Sequence, residues 1–127
     1  MATGLENLKI YKMAKSLELE VFRITKNFPI DERFRSIDQL CRSSSSVTNN
    51  IAEAYNKNSF KDKIRILNDI VKGEANETRS NLEVCLEKSF HNERHLIDSY
   101  TELIMAISGY IKFLRNSMLQ TSKLKNL

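Results

Sequence analysis

Residues 31–56 read DERFRSIDQLCRSSSSVTNNIAEAYN, and within them Phe34, Ile37, Cys41, Ser44, Thr48, Ile51 and Tyr55 recur at alternating steps of three and four. That spacing places them on one face of a helix, and a heptad-like seam of this length needs other helices to cover it. The segment starts near Asp31, read as an N-cap, because Phe28-Pro29 ends whatever helix precedes it: the residue before proline avoids the helical region. Upstream, Tyr11, Ala14, Leu17, Val21, Ile24 and Thr25 keep the same step and predict a helix over about 6–27. Downstream, Asn56-Lys57-Asn58-Ser59 breaks the period, and Ser59 with Asp62 three residues on resembles a capping box. A third helix over about 60–90 follows, with Phe60, Ile64, Leu67, Val71, Thr78, Leu82, Cys85 and Ser89 on its stripe. The fourth, over about 92–119, aligns Leu96, Tyr100, Leu103, Ile107, Tyr110, Leu114 and Met118, with fraying expected from about Thr121. Long helices joined by short breaks must run antiparallel, so the predicted architecture is all-α, an up-down-up-down four-helix bundle forming one domain over 1–127.

Composition agrees. Three Gly and one Pro in 127 residues are too few turn formers for a sandwich or barrel, and 41% hydrophobic with 28% charged residues is the balance of a folded globular chain. The stretch Leu103–Ile111, free of formal charge, falls far short of the ~20 residues a membrane-spanning helix needs. The N-terminus has an acid and an amide where a secretory leader would carry basic and then apolar residues. Cys41 and Cys85 lack ligand-spaced partners and fall on apolar helix faces, so they are expected to be reduced thiols in a cytoplasmic protein.

Catalytic and metal chemistry find little support. His91 and His95 lie at i and i+4, but Glu93 between them is at the wrong offset for a zincin and no further His or Cys completes a site; both are expected at a turn, solvated. Neither histidine has Glu three residues before it, as a di-iron bundle requires, nor Arg four to six before it, as the helical ribonuclease bundles resembling this size class have. Glu53 and Glu77 could pair for acid/base work, but neither has a nearby His. The expectation is no enzyme, no metal and no cofactor.

One segment departs from a simple solvated face. Ser43-Ser44-Ser45-Ser46 and Asn49-Asn50 are mediocre helix formers, and Ser46, Asn50 and Glu53 lie away from the seam. Two readings stay open, an ordinary surface or a second face packed against another helix or subunit; the interruption of the charged face at the serines points to the second.

These residues, with their neighbours, resemble a known family. Phe28-Pro29, Glu32-Arg33, Gln39-Leu40, Arg42, Ser46-Val47, Asn50-Ile51-Ala52-Glu53, Lys57, Ser59-Phe60, Gly73 and Glu77-Thr78 follow the pattern of small bacterial four-helix-bundle proteins, described as ribosomal-protein-like. Those proteins are encoded in intervening sequences of 23S ribosomal RNA genes. The accessory variability protein of diversity-generating retroelements is similar. The resemblance covers about residues 8–90, and its most specific piece is Asn-Ile-Ala-Glu at 50–53; the family usually has Gly where Ala54 stands. It implies a non-enzymatic bundle assembling into a ring-like homopentamer, with Ser46, Asn50, Glu53, Gly73 and Glu77 as assembly or structural positions. For the accessory type it implies binding to nucleic acid and to a reverse transcriptase.

Charge supplies the remaining signal. The chain carries net +4, distributed unevenly: residues 73–102 hold seven acidic and three basic side chains, whereas residues 103–127 hold four basic and none acidic. Lys57, Lys61, Lys63 and Arg65 cluster where the second helix hands over to the third, a patch suited to phosphates. With only Tyr55 and Phe60 beside them, RNA or DNA would be bound with little sequence preference. The alternative is a protein-binding scaffold or an accessory subunit, for example of a reverse transcriptase. A second basic location is the tail of Lys112, Arg115, Lys123 and Lys125.

Overall fold

The computed structural model describes residues 4–125; residues 1–3 and 126–127 of the expected domain lie outside the described residues. After a 3-10 turn at Leu5–Asn7 the chain forms α1 (Lys9–Thr25), α2 (Asp38–Asn56), α3 (Phe60–Ile66), α4 (Lys72–Glu87) and α5 (Arg94–Lys125). A π-helical turn, Leu67–Val71, joins α3 to α4 without a break, so the bundle has four long helices. α1 packs on α2 and α5, α2 on α4, and α4 on α5, the closed square of an antiparallel four-helix bundle. No strand occurs among the described residues.

The expected seams of α1, the third helix and α5 build most of the core. On α2 the apolar core residues include Leu40, Val47 and Ile51, whereas Ile37, Cys41 and Tyr55 of the expected seam are half-buried. Ala14, Leu17, Val21 and Ile24 of α1, Leu40, Val47 and Ile51 of α2, Val71, Leu82 and Cys85 of the third helix, and Leu96, Tyr100, Leu103 and Ile107 of α5 are buried in one cluster. Each fully buried Leu or Ile contributes about 1.5–3 kcal/mol by leaving water. Ser44 and Thr48, the polar members of the α2 seam, are buried as expected and bond to carbonyls one turn back, Ser44 to Cys41 and Thr48 to Ser44. Ser43 is buried too and meets Thr78 of α4, with their hydroxyl oxygens 2.7 Å apart. Half of the serine run therefore packs against another helix of the same chain.

The helix ends differ from expectation in ways that have local causes. Asp31 does not cap α2: Ile30–Glu32 forms a 3-10 turn led by Pro29, and a π turn at Arg33–Ile37 follows before α2 begins. The wider π turn delays the register, so Phe34, expected on the seam, is 83% exposed. At the other break Ser59 does cap α3, accepting from the Asp62 amide at 3.1 Å. The third helix stops at Glu87 rather than near 90, and Ser89, expected on the stripe, is exposed with φ 65°. Phe90 N–H donates to the Cys85 carbonyl and Ser89 N–H to that of Leu86, the paired bonds of a Schellman stop. α5 runs on to Lys125, past the fraying expected from Thr121.

His91 is a further correction. It is 8% exposed rather than solvated, stacked on Phe28 with ring centroids 6.1 Å apart. The Glu93 amide donates to its Nδ1 at 2.9 Å, so Nε2 carries the proton and donates to the Leu82 carbonyl, also at 2.9 Å. The imidazole thus ties the α4–α5 turn to the end of α4. His95 is exposed and pairs with Glu93 at 3.1 Å.

Candidate nucleic-acid interface

The cationic residues between α2 and α3 sit at one end of the bundle, where α2 stops at Asn56 and Lys57 turns extended. They are not equivalent. Lys63, half-buried one turn into α3, reaches back so that its ammonium donates to the Tyr55 carbonyl at 2.5 Å and lies 3.4 Å from that of Ala54. The last carbonyls of a helix carry its negative pole, so this is a C-terminal cap supplied by a side chain. Lys57 makes a loose i,i+4 pair with Glu53 at 3.8 Å, and Arg65 an i,i+3 pair with Asp62 at 4.0 Å. Exposed pairs at such distances hold their cations weakly and leave them open to a phosphate. Lys61 is exposed.

α5 completes this end. Its last turns descend beside the α2–α3 connection, and a groove of about 450 Å³ forms between Ser59 and Lys61 on one wall and Thr121, Ser122 and Lys125 on the other. The tail, treated from sequence as a separate basic location, is brought against the first patch through Lys125. The groove offers hydroxyl donors and two ammonium groups, the chemistry that phosphate oxygens bind. Sequence reasoning missed the convergence; the continued absence of Pro or acid after residue 103 was the available sign that α5 would run this far.

The assembly motif positions lie elsewhere. Ser46 and Asn50 are half-buried on the flank of α2 that carries Ser43, and the Asn50 amide donates to the Ser46 carbonyl and hydroxyl at 2.9 and 3.0 Å. Glu53, Gly73 and Glu77 are exposed, and a side chain at Gly73 would meet nothing within 4 Å. Glu53 and Glu77 share no hydrogen bond. Among the described residues no three His, Cys, Asp or Glu side chains gather as metal ligands, both cysteines are free thiols, and no helix is long and apolar enough to cross a membrane.

Comparison with known proteins agrees with this architecture. A crystal structure of a protein with unknown function from the S23 ribosomal protein family of Bacteroides thetaiotaomicron VPI-5482 superposes with a TM-score of 0.62. The match covers 86% of this chain and 97% of that one at 24% identity, a likeness of fold. No curated protein matches the chain. The family model for the 23S rRNA-intervening sequence protein matches residues 6–111, most of the described bundle. The chain therefore belongs to the 23S rRNA-intervening sequence protein family.

Proposed function

We propose that the chain is a non-enzymatic, single-domain protomer of a cytoplasmic homo-oligomer that binds RNA or DNA with little sequence preference. Lys57, Lys61 and Arg65, joined by Lys123 and Lys125, are the binding residues, and Lys63 holds the turn that presents them. The observation that carries this reading is the convergence of two basic segments, distant in sequence, on one hydroxyl-lined groove. The family resemblance suggests a ring of five, which would repeat the groove around its axis. Several weak phosphate contacts would then act together, an avidity one protomer lacks.

Fluorescence anisotropy of labelled single-stranded RNA, duplex RNA and duplex DNA at ~50 mM salt tests the reading, since counterion release is strongest when salt is low. The wild type binds all three, and the combined variant Lys57→Gln, Lys61→Gln, Arg65→Gln binds each more weakly by a similar factor at unchanged oligomer size. Absence of binding by the wild type would favour a protein-binding scaffold or accessory subunit instead.

A further inference from the structure

An apolar concavity lies on the α1–α2 seam at the end of the bundle away from the basic groove. It measures about 440 Å³, with Phe22, Phe28 and Cys41 in its walls and Ile30 and two cations, Lys26 and Arg33, among its lining residues. Phe22 is 55% and Ile30 86% exposed, and Phe34, whose ring meets the lining residue Arg33, is 83% exposed. The cations do not cover these groups so much as mark them: Lys26 lies 4.5 Å from the Phe22 ring centroid and Arg33 5.4 Å from that of Phe34. Large apolar side chains gathered at a basic rim are what a monomeric surface avoids.

A complementary surface exists on α4. Two contacts fix how that helix is turned: Thr78 faces Ser43 of α2, and Arg79 reaches Thr101 of α5 at 3.2 Å. The remaining outer flank carries Glu77 and Val84 at heptad spacing, both exposed, with Gly73 and Glu87 alongside and the exposed Ile70 of the preceding π turn seven residues before Glu77. It is apolar at two points, acidic between and beyond them, and free of bulk at Gly73. The half-buried Ser46 and Asn50 of α2 border the same flank by register.

We infer that the concavity receives this α4 flank from a second copy of the chain. Val84 of one copy enters between Phe22 and Ile30 of the next, and Glu77 and Glu87, on either side of Val84, meet Lys26 and Arg33. The inference deepens the oligomeric part of the proposed function and rests on it. Charge complementarity selects this occupant: the exposed Glu77 and Glu87 of the flank are opposite in sign to Lys26 and Arg33, which line the concavity. Because the concavity is on the α1–α2 seam and the flank on α4, each copy both gives and receives, and the contact is head-to-tail. Contacts of that kind close into rings where the rotation between copies permits and otherwise run on as open filaments.

Size exclusion with light scattering on the full chain tests this, using Ile30→Asp with Phe34→Asp to spoil the receiving surface and Val84→Arg to spoil the inserting one. All three positions are exposed, so helicity is expected to survive. Each variant alone runs at the protomer mass of 14.7 kDa, and a mixture of the two gives a species of twice that mass and nothing larger, since a single intact contact remains. Cys41 gives an independent readout: in Val84→Arg the receiving surface is chemically unaltered, yet its alkylation becomes roughly tenfold faster, as a roughly tenfold shift in occupancy requires. A wild-type assembly that persists in both variants, or a Cys41 rate unchanged by Val84→Arg, overturns the inference and leaves the oligomeric reading standing. A wild type at protomer mass overturns both.

Discussion

Lys63 separates a structural cation from a binding one, and Lys63→Gln puts numbers on the difference. The ammonium donates to the Tyr55 carbonyl at 2.5 Å and sits 3.4 Å from that of Ala54. Its ring contact with Tyr55, 5.4 Å from Nζ to the centroid, adds to the anchoring. A hydrogen bond to a charged donor contributes about 1.5–3 kcal/mol. Favourable charge at a helix C-terminus adds about 0.3–1 kcal/mol, and glutamine, shorter and neutral, recovers part of the bond. The net loss should be about 1–2 kcal/mol, a fall in Tm of roughly 4–10 °C for a chain of this size. Thermal unfolding followed by circular dichroism measures it, with Lys61→Gln as the control that should melt like the wild type. Nucleic-acid binding gives the converse result: Lys61→Gln weakens it and Lys63→Gln, below its melting range, leaves its salt dependence unchanged. A Lys63→Gln protein with wild-type Tm and a flattened salt dependence would refute the capping role.

Further outcomes follow from single residues. Ser89 holds φ 65° at the end of α4, where a side chain is disfavoured, so Ser89→Gly should stabilise the protein by about 0.5–1 kcal/mol in denaturant titration; destabilisation would contradict the strain. The Tyr100 hydroxyl is buried without a partner among the described residues, so Tyr100→Phe should leave stability unchanged or raise it by up to about 1 kcal/mol, and a loss of that size would mean the hydroxyl has a stabilising partner. Thr78→Val strips Ser43 of its partner inside the α2–α4 contact and should cost about 1–3 kcal/mol in the same titration, whereas a neutral result would show the hydroxyl pair to be dispensable. Burial pushes the Cys85 thiol above its ordinary range, so at neutral pH a maleimide should modify Cys41 first and Cys85 only on unfolding; equal rates in the folded dissociated chain would contradict that burial.

The four helices were legible because their apolar positions repeat at three and four for many turns, a signal that local exceptions do not erase. Inside them the reading failed wherever one residue altered the count. A π turn adds a residue without any change in composition, and so Phe34 came out of the seam it was assigned to. His91 is an ordinary polar residue in a turn until the fold sets the Leu82 carbonyl and the Glu93 amide against its two nitrogens. The serine run has the small polar side chains of a packing face, and Ser43 and Ser44 do pack, but inside the protomer, while Ser46 and Asn50 are half-buried on its outer part. The basic residues of the candidate interface could be named from sequence, yet their grouping could not. It depends on α5 reaching Lys125 and on Lys63 turning inward, both consequences of packing between segments distant along the chain.

The most direct test of binding through the basic end is the slope of log affinity against log salt for single-stranded RNA, for the wild type and the Lys57→Gln, Lys61→Gln, Arg65→Gln variant. Each neutralised phosphate contributes about −0.7 on a single strand, so the wild type should fall with a slope of about −2 or steeper, and the variant should lose most of that slope without a change in oligomer size. A wild-type slope near zero, or an unchanged slope in the variant, would contradict it.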